Sequence, residues 1–253
     1  MFEVPINDSI HQLQTSSFKA VVELSKYVLA GKGLFSHPLE LMSTFIPTHL
    51  LYSEDSLLNK DDPGKLDASV PENRPDIEFM HIPSNCADFD IPGKGIFTLN
   101  TVLIRPKSEG TVRLQTSNPR AHPEIDLGFF SAPEDIIPLR RATRLAMHLA
   151  EDIVKQGYPL KHLLVPEGKS DEDIERFIRA NIGTSYHYTS TCRMGTDTHG
   201  ERESVVDPHL RVHSVKGLRV CDASVFPEII GSHTMAPAVV VAEKCALMIQ
   251  AES

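Results

Sequence analysis

Two histidines stand in surroundings suited to moving a proton. His187 lies in a loop dense with hydroxyls (Thr184, Ser185, Tyr186, Tyr188, Thr189, Ser190 and Thr191) that ends at Arg193-Met194-Gly195. Imidazole is the side chain best matched to proton transfer near neutral pH, and such neighbours can fix its tautomer. Taken alone, His187 is more simply a buried histidine satisfying loop hydrogen bonds, because an isolated histidine is a weak signal. His233 lies in Gly231-Ser232-His233-Thr234-Met235-Ala236-Pro237, just ahead of a closing helix that Thr234 can cap and Pro237 can enter. Free N–H groups at a helix N-terminus favour an anion or a polarised carbonyl, which sets His233 beside an electropositive point. An ordinary capped helix preceded by a histidine accounts for the same residues.

Other chemistry is poorly supported. The chain holds no G-x-S-x-G elbow, no Walker A loop and no H-E-x-x-H pair. Gly31-Lys32-Gly33 and Gly93-Lys94-Gly95 lack the third glycine of a dinucleotide fingerprint. His209 and His213 have helical metal-pair spacing, but Val205-Val206-Asp207-Pro208 predicts extended chain, in which they stand roughly 13 Å apart. They read as surface or packing histidines, and no metal site is expected. Cys86, Cys192, Cys221 and Cys245 form no C-x-x-C pair, so reduced, mostly buried thiols are expected.

The elements that must position the two histidines are legible in the periodicity. Residues 16–30 predict a helix with Phe18, Val21, Val22, Val28 and Leu29 on one face, ended by Gly31 and Gly33. The polar, proline-broken stretch 53–76 predicts a long surface loop. Strands are expected near 77–81, 96–104 and 111–116, the last two joined by a turn at 107–110. Helices are expected over 134–156 and 171–181, the second capped by Ser170 or Asp171. After the His187 loop come an extended segment at 205–213, a short strand through Gly217–Val225 and a closing helix from about Thr234 to Ala251. Strands grouped before helices predict an α+β fold, an antiparallel sheet backed by helices. The domains are drawn at 1–183 and 184–253.

Composition excludes several roles. With 253 residues, 41% hydrophobic and 23% charged, the chain can bury a sizeable core. A net charge of −9 gives no electrostatic support for a nucleic-acid partner. No apolar run approaches a membrane span, and no secretory leader is visible, which makes the cytoplasm the default compartment.

The ordered blocks decide the class. Asp207-Pro208, Arg211-Val212-His213, Gly217-Leu218-Arg219-Val220, Asp222-Ala223-Ser224-Val225 and Gly231-Ser232-His233 follow the His187 loop in sequence. Upstream stand Gly31-Lys32-Gly33-Leu34, Pro75-Asp76-Ile77, Arg105-Pro106-Lys107-Ser108, Gly110 with Val112-Arg113-Leu114, and Pro123 with Ile125-Asp126. This series resembles the C-terminal half of the glucose–methanol–choline (GMC) oxidoreductases. It is most similar to the aryl-alcohol oxidase and dehydrogenase branch, which carries a histidine pair. The resemblance implies that His187 takes the proton of an alcohol hydroxyl while a hydride passes to flavin, and that His233 hydrogen-bonds the same oxygen. It implies that Tyr186 and Tyr188 flank the substrate, and that Asp222, Ala223, His233, Thr234 and Ala236 face FAD. It also implies that residues 217–253 form a strand–turn–helix remnant of the flavin domain, whose dinucleotide-binding half lies outside these residues.

Three functions follow: half of an FAD-dependent alcohol oxidoreductase, a flavin-free acid–base enzyme (isomerase, dehydratase or cyclase) reusing the histidine pocket, or a non-catalytic binding remnant. The His187 and His233 rings are expected to converge. Leu218, Val220, Val225, Phe226 and Val239–Val241 are expected to be poorly buried, awaiting a separate FAD-domain chain, a second copy or the chain's own N-terminal segment folded back.

Overall fold

The computed structural model describes residues 1–36, 42–51, 67, 69–196 and 203–252. In chain order the elements are β1 (Phe2–Val4), α1 (Gln12–Thr15), α2 (Ser17–Ala30), β2 (Ser43–Ile46), β3 (Ile77–Ile82) and β4 (Gly95–Leu103). Then come β5 (Thr111–Arg113), β6 (Glu124–Asp126), α3 (Ile136–Lys155), β7 (Lys161–His162), α4 (Asp171–Asn181) and α5 (Met235–Glu252). The chain divides into two compact units, Met1–Leu103 with Ile136–Ile182, and Ile104–Asp135 with Gly183–Ser253. Residues 104–135, drawn from sequence into the first domain, therefore cluster with the C-terminal segment.

The first unit is an antiparallel sheet of order β2-β3-β4-β1-β7 backed by α3. Ile77 faces Leu103 and Ile82 faces Thr98 across the β3–β4 pair. Helix α3 buries Ile136, Leu139, Ala142, Leu145, Ala146 and Ala150, an apolar stripe at three- and four-residue steps. Its alanines let the helix approach β4 closely, and Ala150 meets Phe2 and Leu160 in one cluster. Helix α4 starts where the capping residue places it: Ser170 Oγ accepts from the Asp173 amide at 3.1 Å.

Helix α2 has the expected limits, with Ser16 accepting from the Lys19 amide and Gly31 left-handed at φ 63°. Its apolar face does not pack as the periodicity implies. Phe18 is 80% exposed and Leu29 86%, whereas Glu23 is buried and accepts from Lys26 and from the Leu34 amide.

The second unit corrects three expectations. The strand expected at 111–116 is short and does not join the main sheet; it pairs with β6 in a separate two-stranded ribbon, Val112 opposite Ile125. Two glycines bind this ribbon to the preceding turn, since a Cβ on Gly110 would stand 2.2 Å from the Asp126 carbonyl and one on Gly128 2.2 Å from that of Glu109. Residues 205–213 are not continuously extended: Asp207 Oδ1 accepts from the His209 and Arg211 amides, folding a turn with Leu210 at φ 61°. The strand expected through Gly217–Val225 reduces to an isolated bridge, Arg211 to Arg219, and a short 3-10 turn at Ala223–Val225, because among the described residues no neighbouring strand completes a ladder. The loop expected at 53–76 falls largely on 53–66 and 68, outside the described residues; Pro71–Asn73 forms a 3-10 turn.

A core of Val206, Leu210, Val225, Phe226 and Cys245 anchors α5 within this unit. The expected apolar face is therefore half sealed. Val225 and Phe226 are buried and Val220 and Val241 pack against them, while Leu218, Val239 and Val240 stay exposed.

Candidate active site

The His187 loop is laid along the short turn at Ala223–Val225 by backbone hydrogen bonds. The Ser190, Cys192 and Met194 amides donate to the carbonyls of Ala223, Ser224 and Val225 at 3.4, 2.9 and 2.9 Å. That turn is itself capped by Asp222, whose Oδ1 accepts from the Ser224 amide at 2.8 Å. Downstream, Arg193 and Gly195 bond to the backbone of Val205 and Val206. His213 Nε2 lies 3.0 Å from Ser204 Oγ and 3.3 Å from the Gly195 carbonyl, so this histidine ties down the loop end, while His209 is exposed.

Ahead of this anchored stretch and at its first residue the loop is strained. Tyr186 and Ser190 take left-handed backbone at φ 61° and 69°, a conformation that costs a residue with a side chain about 1–2 kcal/mol. The Tyr186 amide donates to Thr184 Oγ1, which closes a tight turn directly ahead of His187. The loop thus turns on both sides of the histidine.

His187 and His233 meet. His233 Nδ1 lies 3.2 Å from His187 Nε2, with ring centroids 4.8 Å apart and planes at 89°. The 46 residues between them are bridged because one loop is fastened to Ala223–Val225 and the other leads directly into α5. His187 is half-buried and His233 exposed. Tyr186 and Tyr188 pack edge to face on each other at 6.5 Å and are 77% and 55% exposed. At the head of α5 the Thr234 carbonyl accepts from the Ala238 amide, and Met235 and Ala236 are exposed. Ala223 joins the His187 loop through the Ser190–Ala223 backbone bond, and Asp222 caps the turn beside it.

One contact at this site left no trace in the sequence. Arg193 in the His187 loop pairs with Glu109 in the turn before β5 at 3.6 Å. Opposite charges 84 positions apart carry no periodic or motif signal. Among the described residues, no three or more His, Cys, Asp or Glu side chains converge as a metal site. None of the described helices is long and apolar enough to cross a membrane.

The GMC oxidoreductase family model matches residues 106–242. An alcohol dehydrogenase [acceptor] of Pseudomonas putida is 33% identical over 94% of this chain and 48% of its own length. The chain belongs to the GMC oxidoreductase family. Human mitochondrial choline dehydrogenase, another relative, is 32% identical over 70% of the chain and 30% of its own length. Among solved structures, a formate oxidase superposes with a TM-score of 0.77 at 26% identity, covering 99% of this chain and 45% of that one. A fungal aryl-alcohol oxidase superposes at 0.58 with 31% identity over 75% of this GMC chain and 29% of its own. The chain spans about half the length of the Pseudomonas relative and of the formate oxidase.

Proposed function

We propose that this GMC chain is the catalytic half of an FAD-dependent alcohol oxidoreductase, with His187 as the base. The observation that carries the reading is the 3.2 Å meeting of His187 and His233. A neutral N–H···N contact holds one proton between the two nitrogens. With that proton on His233 Nδ1, the His187 Nε2 lone pair is a ready base. An alcohol inserts into the contact, its oxygen accepting from His233 and its hydroxyl donating to His187. An oxygen about 2.8 Å from each nitrogen then sits about 2.3 Å off the line joining them. His187 takes the hydroxyl proton, and His233 steadies the negative charge left on the oxygen. Tyr186 and Tyr188 wall the substrate, and the head of α5 adds its partial positive charge beside the same oxygen.

The residues suit one face of FAD. The exposed start of α5 offers backbone N–H groups to the ring's polar edge, with Asp222, Ala223, His233, Thr234 and Ala236 as the contacting set. FAD bound there supplies the acceptor for the hydride leaving the alcohol carbon. These 253 residues carry no G-x-G-x-x-G turn to cradle the pyrophosphate, so that part must come from a separate FAD-domain chain or other sequence. The alternative covering partner for the exposed Leu218, Val239 and Val240 is a second copy of the chain.

The test is an absorbance spectrum and an alcohol-oxidation assay with and without added FAD and a GMC flavin domain. Flavin bands and activity on addition of the domain are expected, with weak or no FAD uptake by this chain alone. A colourless protein that turns over substrate would replace this reading with flavin-free acid–base chemistry.

A further inference from the structure

Histidine edges that meet at hydrogen-bond distance also meet at metal-ligand distance. His187 Nε2 and His233 Nδ1 are 3.2 Å apart, on near-perpendicular rings that do not stack. A divalent ion about 2.05 Å from each nitrogen closes an angle of about 103° between them, near the tetrahedral value. We infer that the His187–His233 pair is a two-nitrogen binding site for a borderline divalent transition-metal ion of the Zn²⁺ class. The ion takes a lone pair from each facing nitrogen of two neutral rings, the proton held between them moving through water to the far nitrogen of the ring that carried it, and water fills the remaining positions. With no third His, Cys, Asp or Glu side chain converging among the described residues, the site is open and weaker than a closed structural zinc site. The start of α5 opposes the ion through its partial positive charge, lowering affinity by up to about thirtyfold for a double charge. Such an ion occupies the edge proposed above for the alcohol oxygen, so the alcohol cannot hydrogen-bond both rings while the ion is bound. The site rests on ring geometry alone, and it stands or falls separately from the catalytic reading.

Histidine ring signals of the full 253-residue protein, followed by NMR during titration with ZnCl₂, provide the test. The His187 and His233 signals are expected to shift together and saturate, ahead of those of exposed His209. His187→Ala and His233→Ala should each weaken zinc binding at least tenfold, with His209→Gln unchanged. His233→Asn, which keeps a polar side chain of similar reach but removes the imidazole ligand, should lose as much as His233→Ala and guards against a folding defect. If zinc perturbs other histidines first, or if any of the three pair variants loses less than tenfold, the pair is not the site.

Discussion

Between His187 and His233 the 3.2 Å contact leaves room for one hydrogen, so what one ring donates the other accepts. Removing one ring should therefore act on turnover more than on binding. In flavin-reconstituted protein, His187→Ala is expected to lower kcat on the order of a hundredfold or more with a smaller change in KM, read from steady-state kinetics. A second residue-scale prediction lies in the first unit. The Tyr158 hydroxyl donates to Asp8 Oδ2 at 2.7 Å, and partial burial, then this hydrogen bond, then the Asp8 charge push its pKa up to about 12. A pKa raised on folding contributes stability that is present below the ordinary value of about 10 and is lost as pH climbs towards 12. Phenolate absorbance should show an ionisation step near 12, and Tyr158→Phe should remove that step together with this part of the alkaline loss of stability.

Helices α2, α3 and α4 show how equal local signals reach different ends. The stripe of α3 is buried against β3 and β4, whereas the apolar residues of α2 face outward with Phe18 80% exposed. Periodicity says which residues share a face; it does not say whether anything lies against that face. Caps are more local and more readable. Ser170 Oγ accepts from the Asp173 amide and donates to Asp173 Oδ2 at 2.8 Å. Ser170→Ala is expected to cost about 1 kcal/mol, measured as a lower urea midpoint of the first unit. A change below a few tenths of a kcal/mol would mean that solvent replaces the cap without loss.

Across the whole chain, exposed apolar side chains occur in both compact units. Val21, Val28 and Leu29 stand out in the first, and Leu114, Val239, Val240 and Leu247 in the second. Exposure on this scale marks surfaces that bind something or aggregate. Light scattering at micromolar concentration should report a mass above the 28.1 kDa of one chain. Adding a GMC flavin domain should lower self-association if the two compete for the same surface. A strict monomer in both conditions would show that water tolerates these side chains.

Local information settled much of this protein in advance. The limits of α3, α4 and α5, the antiparallel pairing of 77–82 with 95–103 and the family itself were legible, since capping, periodicity and ordered motif blocks depend on residues close together in the chain. The tertiary structure alone decided that β5 pairs with β6 instead of β4, and that Gly217–Val225 makes no ladder. The family resemblance already implied that His187 and His233 converge; the structure added the edge-to-edge contact between the rings. Each of these is a pairing between segments, and a strand or an imidazole carries no local mark of the partner it will meet. For the His187 loop that partner is the segment whose Val206, Val225 and Phe226 are buried with Cys245, a core against which Met194 of the loop packs.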